Sequence, residues 1–281
     1  LPPPRRPPTP RPASPTRPRP PRPPAAARPI ALGRIRLSAP RDSDSLTLDR
    51  SVPYERWDRF RQRARFRQGE HITIIGTTGS GKTVLERELV KTTPYTVVLG
   101  TKNSDTELYG GFLQVGYEMV DTFDAQPIDG EPDRVIFRPR LESSGRRGVE
   151  RQREEFEHVF DEVLEAGGWH IVCDELWTLA NRLNLTVNLE TFWTAGRSEG
   201  ITVVGATQEP VYIPLLAYTA ATHLFYFRTT DRKRIERMAE LSGGHNDLMR
   251  RLIPELPKHE FVYTNTRTGL VLRSKVALPH T

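Results

Sequence analysis

Gly76, Gly81, Lys82 and Thr83 fall on the spacing G-x-x-x-x-G-K-[ST] within the stretch HITIIGTTGSGKT at residues 71–83. Residues of those types at those intervals bind the phosphates of a nucleotide. Gly76, Thr77, Thr78, Gly79, Ser80 and Gly81 would form the turn whose glycines let the backbone approach, and whose N–H groups, with a helix N-terminus, attract the anion. Lys82 would neutralise the β- and γ-phosphates, and the Thr83 hydroxyl would ligate Mg²⁺. Alone, the stretch points to ATP or another triphosphate, and says nothing of what its hydrolysis would drive.

A second cluster lies well downstream. Ile171, Val172 and Cys173 form an apolar run that ends in Asp174 and Glu175. Asp174 is the candidate Mg²⁺ ligand, and Glu175 the candidate group that orients or deprotonates an attacking water. Gln208 follows the apolar stretch ITVVGAT, where an amide can read both the γ-phosphate and the water. Arg197 precedes the same stretch, in AGRSEG, and is a candidate to stabilise transition-state charge from a neighbouring subunit; Arg228 is a second. The bland alternatives are a strand-ending loop residue for Gln208 and a surface arginine for Arg197. Seven histidines and the lone Cys173 show no metal-ligand spacing, so no zinc site is expected.

These residues need a scaffold that delivers them to one place. Short β-branched runs at 72–75, 95–99, 134–137, 169–173, 201–206 and 223–227 read as buried strands. Helical patterns fall at 83–91, 146–166, 176–183, 189–197 and 231–241, with a further helix at 248–252 and a terminal hairpin at 260–264 and 270–274. Strands alternating with helices predict an α/β fold, a three-layer sandwich around a mostly parallel sheet. Residues 103–124, with Gly110, Gly111 and Gly116, read as loop. In the basic lead-in 51–69, Tyr54, Trp57 and Phe60 recur at three-residue spacing and are expected to dock one face on the core.

The charge is unevenly spread. The first fifty residues hold eleven arginines against Asp42, Asp44 and Asp49, a net of +8, more than the +6 of the whole chain. Their Pro/Arg repeats cannot bury a core, so 1–49 is expected to be a disordered basic tail and 50–281 a single ATPase domain. The tail reads equally as an arm for nucleic acid, as a solubilising extension, or as an upstream stretch outside the true reading frame. One cysteine excludes an internal disulfide, and no apolar run is long enough to span a membrane. The chain begins at Leu1 rather than Met, as a fragment or a processed product would.

Taken together, GTTGSGKT, the strand-ending Thr101–Lys102, IVCDE and GRSEGITVVGATQEP resemble the FtsK/HerA superfamily of P-loop ATPases, over about residues 69–241. The resemblance implies that the Gln208 strand lies between the phosphate-loop strand and the Asp174 strand, and it favours Arg197 as an arginine acting in trans. It implies a homo-oligomeric ring, usually hexameric, that moves double-stranded DNA or protein. The family lysine after the second strand sits in a D-P-K context, whereas Lys102 follows Gly-Thr, which leaves its role open. With little beyond the ATPase core, the chain is most similar to compact genome-packaging ATPases of double-stranded DNA viruses, which implies capsid or portal-vertex partners and a place in the host cytoplasm or the virion. A plasmid-transfer or mobile-element translocase is the second expectation, and an ATP-binding regulatory or scaffold protein the third.

Overall fold

A computed structural model of the chain describes residues 51–126, 128, 130–141 and 145–276. The expected tail at 1–49 lies outside the described residues. Four- and five-residue apolar runs become the strands β1 (Ile72–Ile75), β2 (Tyr95–Leu99), β4 (Asp133–Phe137), β5 (His170–Cys173) and β7 (His223–Phe227), joined by β3 (Glu118–Val120) and β6 (Thr202–Thr207). Strands buried on both faces lose the polar alternation of a half-exposed sheet, and β1, β2, β6 and β7 are buried at every position.

Among the described residues the sheet runs β3-β4-β2-β5-β6-β1-β7, and then β8 (Glu260–Asn265) and β9 (Val271–Lys275). The first seven pair in parallel, while β8 and β9 add antiparallel at the β7 edge. The sheet is therefore mostly parallel, and β6 lies between β1 and β5, as the resemblance implied. Helices α1 (Trp57–Ala64), α2 (Lys82–Val90) and α3 (Thr106–Leu113) pack Phe60, Leu85 and Phe112 on one face. The other face is covered by α4 (Arg146–Ala166), α5 (Thr186–Ala195), α6 (Leu216–Thr219), α7 (Arg232–Glu240) and α8 (Asn246–Glu255), through residues such as Phe160, Phe192, Met238 and Leu252. Among the described residues no helix is long and apolar enough to cross a membrane.

Three expectations are corrected. Residues 103–124 are not loop throughout: they contain α3 and β3. Asp105 caps α3 by accepting from the Leu108 N–H at 3.0 Å, and Gly111 lies within that helix beside the end of the Arg87 side chain of α2. Tyr54 does not share the docked face of Trp57 and Phe60. It precedes α1, bridges the backbone of Arg273 and leaves its side chain exposed, whereas Trp57 and Phe60 stack on each other and pack against Phe261. A π-helical turn at Thr178–Arg182 interrupts the helix expected over 176–183.

Candidate active site

Because β1, β5 and β6 are adjacent and parallel, their C-terminal ends open on one edge of the sheet, where ligands of α/β folds bind. β1 delivers the phosphate loop there. Gly76 admits no side chain, since a Cβ would meet Ser80 Oγ at 2.6 Å and Phe227 Cβ at 2.7 Å. Gly81 holds φ 103, in the left-handed region, immediately before α2 begins at Lys82. The loop thus turns directly into a helix N-terminus with its first N–H groups free for an anion.

The Lys82 side chain is nearly buried, and its ammonium donates to the Thr77 carbonyl at 3.1 Å. Burial lowers its pKa, against the opposing charges of Asp174, Glu86 and Glu175. Phosphate oxygens arriving in the loop would supply the counter-charge that favours the ammonium. The Thr83 hydroxyl donates to Asp174 Oδ1 at 3.0 Å, which places two hard oxygen ligands side by side at the helix start. That donor set, a hydroxyl and a carboxylate, suits Mg²⁺, which takes few protein ligands and shares phosphate oxygens and water.

β5 and β6 bring the remaining groups to the same edge. The Thr78 hydroxyl in the loop donates to the Gln208 amide oxygen at 2.6 Å, so the amide already touches the phosphate loop. The Thr207 hydroxyl lies 3.4 Å from Glu175 Oε1, and the Glu209 N–H donates to that hydroxyl at 3.0 Å. Burial raises the pKa of Glu175; Lys82 opposes that shift and Asp174 adds to it. A carboxylate so shifted is a stronger proton acceptor than a solvated one.

Arg197 is not brought to this site within one chain. It is exposed at the start of β6, while Gln208 follows the end of that strand, and six strand residues separate the two edges by about 17 Å. Its carbonyl backs onto Gly69, and its charge adds to burial in lowering the pKa of His71, at the N-terminal end of β1.

Three groups at the nucleotide edge escaped the sequence reading. Glu86, one turn into α2, is fully buried and feels the charges of both Asp174 and Lys82. Burial and then the charge of Asp174 push its pKa well up. Its position four residues after Lys82, on the same helix side, is the signal that could have found it. The other two are Lys258 and His259, in the loop that enters β8. His259 adopts φ 65, and its ring Nδ1 lies 3.2 Å from the Ser80 carbonyl, so that loop rests on the phosphate loop. Together with Arg228, Thr230 and Arg234 they line a cleft of about 570 Å³ that continues from Thr77–Ser80. Nothing local in the sequence marks them, because an antiparallel strand returns them from far along the chain.

Fold and site together define a P-loop nucleotide-binding α/β protein with both an acidic pair and a polar amide at the phosphate edge. No protein-family model and no curated protein sequence matches the chain. Solved structures do. The DNA-packaging ATPase B204 of Sulfolobus turreted icosahedral virus is similar at 14% identity with a TM-score of 0.54, over 76% of this chain and 100% of that one. The genome-packaging NTPase B204 of Sulfolobus turreted icosahedral virus 2, in complex with ATP-γS, is 12% identical with a TM-score of 0.54, over 76% and 100%. VirB4 of Thermoanaerobacter pseudethanolicus is 10% identical with a TM-score of 0.55, over 74% and 89%. At these identities the likeness is one of fold, and it is the fold of the ATPases that the sequence motifs resemble.

Proposed function

We propose that the chain is an ATPase that translocates double-stranded DNA, with viral genome packaging as its task. The observation that carries the reading is the meeting of Glu175 and Gln208 with the phosphate loop at one sheet edge, through the Thr78–Gln208 contact of 2.6 Å and the Thr207 hydroxyl beside Glu175. A module that only binds ATP needs the loop and a metal ligand. It does not need a second carboxylate and a polar amide delivered to the same sheet edge.

In this reading Gly76 to Thr83 hold the triphosphate of ATP, with Lys82 against the β- and γ-phosphates. Thr83 and Asp174 would hold Mg²⁺, which would neutralise charge building on the phosphates. Glu175 accepts a proton from the attacking water, and its burial makes it a stronger base than a solvated carboxylate. Gln208 positions that water and the γ-phosphate. Arg197 is exposed at the far edge and serves the nucleotide of an adjacent subunit, in a homo-oligomeric ring, most simply a hexamer. Capsid or portal-vertex proteins are the partners this implies, with residues 50–281 as the motor domain and the basic stretch 1–49 as an appendage.

A plasmid-transfer or mobile-element translocase with the same chemistry is the second reading, which the same site residues serve equally well. Purified protein is expected to hydrolyse ATP faster in the presence of duplex DNA, and Glu175→Gln to retain ATP binding while abolishing turnover. Absence of stimulation by any duplex would sink the motor reading, and turnover surviving in Glu175→Gln would sink the assignment of the base. A major capsid gene beside this one would favour packaging over transfer.

A further inference from the structure

The arginines around α1 form a surface that the catalytic reading does not use. Six of the thirteen residues from 55 to 67 are arginine, against Glu55 and Asp58, a net of +4. Residues 68–281 carry a net of −6, so the positive charge of the described protein is concentrated on this one element.

Geometry turns composition into a surface. Phe60 and Ala64 are buried, and Trp57 and Phe60 face the sheet, with Phe60 edge-on to Phe225, Phe261 and Tyr263. Phe66, just past the helix, packs at 4.7 Å on the His223 ring. With the aromatic side thus occupied, Arg56, Arg59 and Arg63 recur at i, i+3 and i+7, the interval of a single helix flank. The chain leaves α1 through Arg65, in the left-handed region at φ 49, and Arg65 and Arg67 follow the helix directly. All five are exposed. Among the described residues only Arg63 of the five pairs with a carboxylate, Glu55 at 2.5 Å.

We infer that this arginine row binds the phosphate backbone of duplex DNA. The inference rests on the translocation reading above and names the surface that meets the substrate. From 56 to 63 the row covers about 10 Å of helix, the axial length of about three successive phosphates on one strand. Guanidinium groups suit phosphate oxygens through paired donors. A lipid surface fits poorly, because an interfacial helix must offer its apolar face to the membrane and that of α1 is packed on the sheet. In the sequence, the first fifty residues carry a further net +8.

The test uses the full chain. Arg56, Arg59, Arg65 and Arg67, which make no ion pair among the described residues, are changed together to Gln. Arg146, Arg147, Arg151 and Arg153 on the outer side of α4, also changed to Gln, form a control with the same reduction in charge. Fluorescence anisotropy follows a labelled duplex of about 30 base pairs between about 50 and 200 mM salt. The slope of log affinity against log salt is expected to become shallower by about 3.6 in the α1 variant, about 0.9 for each phosphate that an arginine no longer neutralises. The α4 control should keep the wild-type slope, and basal ATP hydrolysis without DNA should be unchanged in both.

Equal slopes in the wild type and the α1 variant, or an equally shallow slope in the α4 control, overturn the inference alone. A wild type that binds no duplex overturns both it and the translocation reading. If poly-glutamate competes with duplex as well, charge for charge, the row takes an acidic protein segment and the inference falls.

Discussion

Gly205 sits inside β6, opposite Thr73 of β1 and Cys173 of β5, and a side chain there has nowhere to go. A Cβ at this position would lie 2.7 Å from Leu176 Cδ1 and 3.1 Å from Leu176 Cγ. Carbon atoms pack at about 3.5–4.0 Å, so Gly205→Ala obliges Leu176 to retreat by about 1 Å. Leu176 is fully buried and cannot swing into solvent, and it follows Glu175 directly. Overpacking of this kind costs about 1–3 kcal/mol, against which the alanine returns about 0.5–1 kcal/mol of backbone entropy. The net loss of about 1–2 kcal/mol lowers Tm by about 2–8 °C for a domain of this size. The catalytic effect should be larger in proportion, because a shift of about 1 Å in a reacting group costs about 100-fold in rate. We expect kcat for ATP to fall by about that factor, with little change in KM, since the phosphate loop is not displaced. Adding Leu176→Val should recover part of the rate, with a coupling of about 0.5–3 kcal/mol between the two sites. Steady-state ATPase assays and thermal unfolding measure both. If Tm falls as stated and kcat stays within about two-fold of the wild type, the packing of Leu176 does not set the position of Glu175 and the reasoning fails.

Two further outcomes follow from the other edge of the sheet. His71 is buried, accepts the Val203 N–H at 3.1 Å and has its pKa lowered to about 4, first by burial and then by Arg197. A histidine whose folded pKa lies below the unfolded value contributes stability that is present above about pH 6.5 and is lost as pH falls toward 4. Going from pH 7.5 to 5 should therefore remove about 2 kcal/mol through this residue; denaturant unfolding of wild type and His71→Asn at both pH values isolates it, and identical pH dependence in the two would refute the assignment. For Arg197, subunits carrying Arg197→Ala should regain hydrolysis when mixed with Lys82→Ala subunits, because each supplies what the other lacks; no rescue at any mixing ratio counts against an arginine acting in trans.

How far the sequence could be read depended on where each structural determinant lay. The strands at 72–75, 95–99 and 223–227 were legible to the residue, because strands of a doubly covered parallel sheet are continuous apolar runs. The helix 146–166 was legible from its amphipathic repeat and the Gly167–Gly168 stop. α3 and β3 were hidden for different reasons: Gly110 and Gly111 are poor helix formers and disguise α3, and β3, with two of three residues exposed, carries no core pattern. Lys258 and His259 were invisible because only the return of β8 beside β7 brings them to the phosphate loop.

The position of Arg197, by contrast, was implicit in the order of the chain. An arginine that precedes a parallel strand and a glutamine that follows it must leave at opposite edges of the sheet, here with the whole of β6 between them. No rotamer change closes a gap of about 17 Å. Within one subunit the two therefore cannot serve the same nucleotide, so any contribution of Arg197 to hydrolysis requires the N-terminal edge of one sheet to meet the C-terminal edge of another. Such a contact can be exchanged reciprocally in a two-fold dimer, or repeat head to tail, which generates a ring when the rotation closes and a filament when it does not. A catalytic role for Arg197 therefore requires an assembly of subunits, and the subunit-mixing experiment tests that requirement.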